Sequence, residues 1–329
     1  MEKIDIIRSE SYSGNAISNQ EKRAMNTAKR LLILWGVGAL ALTGCSSDET
    51  SRPDLKPKTP TAIQLTFNDD VFEANPIYSP DGQWILFESD QAGNLDIWLI
   101  SVASGVVEQL TTNVSFDSSP YWSPDGSSVV FESDRSGNKN IWILDLEQAG
   151  AEPVALTVGD WDDGSPAWSP DGTRVVYESN RATATGTELW VSTVANGEAL
   201  QVTNTGPGLY HRTADWSPDG MELVFESDRE GGQPALYTMS ALGGEAARLT
   251  PLNGYEGHPA WSPDGLSIAF EATTSGAMQV YVMDATGGDA TQLTTNGGFW
   301  PRWTADGTGV VFGVYGENGE PNIWTLEIN

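Results

Sequence analysis

Apolar and polar positions alternate in short runs along residues 61–329, and the same run returns six times. The runs read WILFES, SVVFES, RVVYES, ELVFES, SIAFEA and GVVFGV, beginning at Trp84, Ser128, Arg174, Glu222, Ser267 and Gly309. Each is rich in β-branched and aromatic residues and bounded by Gly, Pro and Asp, the pattern of a short strand. An aromatic residue stands before each run, at Tyr78, Trp122, Trp168, Trp216, Trp261 and Trp303. An apolar–aromatic pair follows it, at Ile97-Trp98, Ile141-Trp142, Leu189-Trp190, Leu236-Tyr237, Val280-Tyr281 and Ile323-Trp324. Beyond residue 45 no stretch keeps helical spacing.

The repeats are anchored by Ser-Pro-Asp-Gly, at Ser79–Gly82, Ser123–Gly126, Ser169–Gly172, Ser217–Gly220 and Ser262–Gly265, with Thr304-Ala305-Asp306-Gly307 as a sixth copy. Pro fixes φ and Gly accepts positive φ, so each anchor predicts a tight turn whose Asp bonds the local backbone. The intervals of 44, 46, 48, 45 and 42 residues suit four short strands per repeat, a propeller blade. Phase then decides closure. Leu-Thr, or Val-Thr, ends a copy at Leu65, Leu110, Leu156, Val202, Leu249 and Leu293, so one precedes the first anchor and none follows the last. The fold class predicted is therefore all-β: a six-bladed β-propeller whose N-terminal strand, around Ala62–Thr66, completes the last blade and removes the open edges. The recurrent Trp is read as core between blades.

Trp-Ser-Pro-Asp-Gly, the Phe-x-Ser-Asp strand end, Ile-Trp and Leu-Thr together resemble the repeat of TolB-like (WD40-like) β-propellers. The same repeat occurs in the propellers of prolyl oligopeptidase-like and tricorn-type proteases. The resemblance covers residues 61–329 and implies a partner-binding propeller of the cell envelope, while such folds host many functions.

Three segments follow. Residues 1–44 read as a signal peptide, with Lys29 and Arg30 ahead of the apolar stretch Leu31–Leu42, too short to span a bilayer; Met25 offers an internal start. Leu42-Thr43-Gly44-Cys45 resembles the lipobox of bacterial lipoproteins, which implies lipidation of Cys45, the only cysteine. Ser46 after it implies sorting to the outer membrane, with the propeller in the periplasm. Residues 45–60 read as a lipidated N-terminus and flexible tether, and 61–329 as the propeller, expected to be monomeric and to meet the membrane through its lipid alone. With Cys45 lipidated no disulfide is available, so stability falls to packing, for which the chain has 13 Trp.

Charge narrows the partners. Residues 45–329 keep 11 of the 17 basic and 41 of the 45 acidic residues, a formal charge of −30. Nucleic acid requires the opposite sign. Six residues before each anchor stand Glu73, Asp117, Asp163, His211, Glu256 and Gly298, expected on one rim of the channel, opposite the Ser-Pro-Asp-Gly turns. Glu88, Glu132, Glu178, Glu226 and Glu271 end the second strands near the same rim. They are either a second acidic ring or structural groups paired with Arg135, Arg181 and Arg229 or with backbone amides between blades. Stacked rings would make a negative funnel suited to a protein or basic peptide of the envelope or to Ca²⁺, with no cofactor required. The expected binding residues are Glu73, Asp117, Asp163, Tyr210, His211, Tyr255 and Glu256.

No Gly-x-Ser-x-Gly elbow, phosphate loop or Cys/His cluster with metal spacing is present. The two histidines, His211 and His258, lie in consecutive inter-blade loops with Arg212 nearby. They support an alternative, a carbohydrate-active propeller enzyme, a hydrolase or a lyase similar to oligogalacturonate lyase. That family uses a cluster of metal-binding histidines, and this chain has two histidines in all. The reading adopted is non-catalytic: a lipid-tethered scaffold that binds a partner at its acidic channel mouth.

Overall fold

The computed structural model describes residues 61–328 apart from Asp69, Ala184, Leu252 and Asn253. The expected signal peptide, Cys45 and the tether lie outside the described residues. Six antiparallel four-stranded sheets are present. In the first blade the strands run Glu73–Tyr78, Trp84–Ser89, Asp96–Ser101 and Val107–Gln109 from the inside outward. The inner strands of the others are Asp117–Trp122, Asp163–Trp168, His211–Trp216, Glu256–Trp261 and Phe299–Trp303.

The last blade takes its outer strand from the beginning of the propeller. Ala62–Gln64 pairs antiparallel with Pro321–Glu327, Ala62 opposite Leu326 and Gln64 opposite Trp324. The Leu-Thr signature explains itself in the same place. In each of the other five blades the Thr hydroxyl accepts the amide of the apolar residue that opens the apolar–aromatic pair: Ile97 to Thr111 at 2.9 Å, Ile141 to Thr157 at 2.9 Å, Leu189 to Thr203 at 2.8 Å, Leu236 to Thr250 at 3.1 Å, Val280 to Thr294 at 2.9 Å. Ile323 gives its amide to Thr66 at 3.0 Å, the same bond across the closure.

Cohesion between blades comes from the second strands. Phe87, Phe131, Tyr177, Phe225, Phe270 and Phe312 are all fully buried, each contributing roughly 1.5–3 kcal/mol relative to exposure. The anchors are turns, as their composition predicts. In every copy the Ser or Thr hydroxyl donates to the Asp carboxylate at 2.6–2.7 Å. The closing Gly has φ between 69° and 73° in all six, a region that L side chains avoid.

Candidate functional site: the channel mouth

The inner strand of every blade is broken by a β-bulge, for example between Ser118 and Tyr121 and between Arg212 and Asp215. At each bulge one non-glycine residue adopts positive φ: Asn75, Ser119, Ser165, Thr213, His258 and Trp300, at 46–54°. Pro follows it in five blades and Ala214 in the fourth; Pro lacks an amide, and a bulge tolerates that loss. Such a conformation carries local strain. It turns these six residues toward the axis, where they line a cavity of about 60 Å³ with Tyr121, Arg302 and the bulge prolines Pro120, Pro166 and Pro301.

What holds the strained residues is the set of glutamates ending the second strands. Glu88 accepts the amide of Ser119 (2.7 Å), Glu132 that of Ser165 (3.0 Å), Glu226 that of His258 (3.3 Å) and Glu271 that of Trp300 (2.7 Å). Each bond crosses to the next blade, so these carboxylates pair with inter-blade amides and not with the following arginines. Gly313 takes the sixth place, where a Cβ would come within 3.0 Å of the Phe299 ring.

Counter-charges reach the ring unevenly. Lys139 bonds Glu132 at 2.8 Å, and His258 Nδ1 lies 2.9 Å from Glu271. Tyr255 Oη donates to Glu226 and Glu271, at 3.1 Å each, in space left by Gly257, where a Cβ would collide with that hydroxyl. Burial, opposed by the Ser119 amide, pushes Glu88 up to about 7. Burial pushes Glu178 up to about 8, although Arg212 pulls the other way. Glu271 is held below its ordinary value, because burial is outweighed by His258 and three hydrogen-bond donors. His258 is raised in return, Glu271 overcoming burial.

The cavity floor is polar. Tyr121 Oη donates to Asp215 at 2.9 Å, Trp261 gives its amide to the other Asp215 oxygen at 2.9 Å, and Arg302 lies 5.6 Å from the Tyr121 ring centre. Tyr121 and Arg302 also line a hollow of about 260 Å³ on the Ser-Pro-Asp-Gly side, walled by the anchor prolines and the recurrent Trp.

The ring expected from the residues six before each anchor is not at the mouth surface. Glu73, Asp117, Asp163, His211 and Glu256 are buried within their blades. Arg135 grips both oxygens of Asp117 (2.8 and 2.7 Å) and Arg181 both of Asp163 (2.8 and 2.7 Å), each arginine steadied by Ser133 or Ser179. Glu256 accepts the Thr250 hydroxyl. Burial pushes Glu73 up to about 7 against a Thr66 bond. His211, wholly buried, meets Thr205 and Glu188, and burial lowers it to about 4. His258, by contrast, lines the cavity, so the two histidines occupy different environments. Gly298 is buried, and a Cβ there would meet Val280 at 2.8 Å.

Tyr210 and Tyr255 do reach the rim, and Arg212 lies 4.1 Å over the Tyr210 ring. Phe72 and Phe116 hold the same repeat position as these tyrosines, one residue before the inner strand. Phe116 is 57% exposed, and Phe67, Val114 and Val158 stand out from neighbouring loops of this end. Phe72 also meets Trp300 edge-on at 6.2 Å. Phe72, Phe116 and the bulge residues other than His258 were missed by sequence reasoning; the recurring Pro three residues before five of the six anchors was the available signal. Among the described residues no three His, Cys, Asp or Glu side chains converge as metal ligands. Nor is any helix there long and apolar enough to cross a membrane.

The family model for the TolB β-propeller domain matches residues 58–164 and 149–329. The chain belongs to the TolB β-propeller family. Among solved structures, this TolB-family chain is similar to a TolB-type protein from Agrobacterium tumefaciens, at 21% identity and TM-score 0.62 over 78% of this chain and 90% of that one. It is also similar to TolB from Acinetobacter baumannii, at 22% identity and TM-score 0.61 over 72% of this chain and 57% of that one. Oligogalacturonate lyase from Vibrio parahaemolyticus follows at 16% identity and TM-score 0.59, covering 83% and 95%. No curated protein matches the sequence. At these identities the likeness establishes the propeller fold of this TolB-family chain, and its chemistry must come from its own residues.

Proposed function

We propose that the chain is a non-catalytic binding module of the cell envelope whose channel mouth receives a cationic segment of a protein partner. One observation carries the reading: five glutamates encircle the mouth within a rim of exposed aromatic and aliphatic side chains. Lys139, Arg212 and His258 oppose their charge, and Arg302 lines the cavity beside them. An entering cation lowers the raised values of Glu88 and Glu178, so the carboxylates come to focus a negative potential that favours a positive ligand, and rim aromatics supply area for its flanking residues. The lipobox-like Leu42-Thr43-Gly44-Cys45 supports reading the module as anchored through a lipidated Cys45 to the outer membrane, facing the periplasm. The carbohydrate-active alternative finds less support, because burial of His211 separates it from the cavity that His258 lines.

Calorimetry with three peptides of one apolar sequence, carrying Lys and Arg, Ser, or Asp at the variable positions, tests the reading. The basic peptide should bind, and binding should weaken as salt rises from 50 to about 500 mM. A Phe116→Ser/Tyr210→Ser double variant should bind it about tenfold less tightly, the loss expected of aromatic contacts at an interface. Equal binding of the basic and acidic peptides would overturn the proposal.

A further inference from the structure

The glutamate ring has one irregular step. At four steps the carboxylate holds the amide of the next blade's bulge residue, and further donors reach it: Ser118 and Lys139 at Glu132, Tyr255 at Glu226 and Glu271. Glu178 departs from this, for its Oε2 is buried without a hydrogen-bond partner. The bulge residue of the following blade is Thr213, and its Oγ1 is also buried without a partner. Thr213 is only 8% exposed and lines the channel cavity. It is also the one bulge residue followed by Ala, not Pro. Two departures from the repeat thus fall on one step.

Buried polar atoms are nearly always bonded, because an orphan keeps the full cost of its lost hydration. The Thr213 hydroxyl faces the cavity, and the unbonded Glu178 oxygen stands at the same step of the ring, where the charge of Arg212, the residue before Thr213, acts on it; both atoms can accept from a donor on an incoming partner. Glu132 and Glu226 act on Glu178 with the same charge, while Arg212 and His258 oppose them. Arg212 is stacked over Tyr210. Shape selects further: one carboxylate oxygen and one hydroxyl suit a compact ammonium with three rotatable donors better than a planar guanidinium, whose fork matches the two oxygens of a carboxylate.

We propose, building on the cationic-segment reading, that Glu178 and Thr213 form the seat for a primary ammonium of the bound partner. Glu178 reads the charge by giving up its proton as the ammonium enters, and the Thr213 hydroxyl reads the geometry. That ammonium belongs either to a lysine side chain or to a chain N-terminus.

The test uses the full chain and four peptides of equal length: lysine with a capped N-terminus, a free N-terminus without lysine, arginine with a capped N-terminus, and acetyl-lysine with a capped N-terminus. At least one of the first two should bind about tenfold more tightly than the last two, and which one identifies the source of the ammonium. Glu178→Gln should erase that preference, as expected when a charged hydrogen bond is removed, and Thr213→Val should weaken it several-fold. Circular dichroism and urea unfolding show that each variant is folded. Arginine binding as well as lysine, or Glu178→Gln keeping the preference, would overturn the seat while leaving the binding-module reading intact. Failure of every cationic peptide to bind the wild-type chain would overturn both.

Discussion

The two ends of the channel use carboxylates in opposite ways. At the turn end one arrangement occurs six times: a hydroxyl 2.6–2.7 Å from an Asp that also accepts the backbone amide two residues on. At the mouth the backbone repeats but the side chains do not; the bulge position reads Asn, Ser, Ser, Thr, His, Trp. Uniformity is what a ring of identical joints requires, and a ligand needs the reverse, since only a departure from sixfold repetition can fix its orientation. The irregular residues of the mouth are therefore the informative ones. The acidic residues six before each anchor stand between these extremes, varied in identity yet committed to holding single blades together.

The largest effect should come from that intermediate set. Arg181 is 14% exposed and packs over Tyr177, Trp190 and Trp161 while pairing with a fully buried Asp163. Asp163→Ala leaves the arginine buried without its partner, which should cost about 3–5 kcal/mol in urea unfolding. Peptide binding by the folded fraction should not change. A variant that stays stable and loses binding would move Asp163 to the mouth and erase the contrast.

Much of this fold was legible because it is written in local rules and in phase. Ser79, Pro80, Asp81 and Gly82 specify a turn by themselves, and the stray Leu65-Thr66 announced a strand belonging to Ile323. The mouth was legible only in part. Along an inner strand the side chains alternate between the two faces of a blade, so Asp117 and Glu256 point into blade packing and not along the axis. Only the bulge residue is re-aimed, and counting back from the anchor cannot reveal a bulge. Pro76, Pro120, Pro166, Pro259 and Pro301 mark it, since a strand with Pro at one fixed position must be irregular there. Glu178 could not be singled out from Glu88 by sequence, because the two differ in what the next blade offers them.

The mouth and the turn end should also separate by pH. Glu178 has a folded value of about 8 against an ordinary 4.5. Between those pH values the folded chain holds a proton that the unfolded chain has released, so stability falls as pH rises through this window. Glu178→Gln, neutral throughout, should match the wild type near pH 5 and unfold at higher urea near pH 8. A residue whose neutralisation both stabilises the fold and abolishes lysine preference is one kept for binding. No gain at pH 8 would place Glu178 in a more solvated setting and weaken its distinction from the rest of the ring.

The smallest effect belongs to the turns, with the opposite sign. Asp171 is depressed to about 2 by the Ser169 hydroxyl first, then by the amide and hydroxyl of Thr173. Its contribution is present above the ordinary value of 3.8 and is lost as pH falls toward 2. Asp171→Asn should therefore shift the unfolding midpoint slightly at pH 7 and progressively less as pH falls through 2, because the wild-type carboxyl is then increasingly protonated too. The largely exposed carboxylate is screened, and five equivalent turns remain, so the shift should be far below that of Asp163→Ala. Urea midpoints for Asp163→Ala, Glu178→Gln and Asp171→Asn at pH 2.5, 5 and 8 would place the three carboxylate classes on one scale. If Asp171→Asn proved as damaging as Asp163→Ala, each turn would be a cooperative element of the ring and not a local joint.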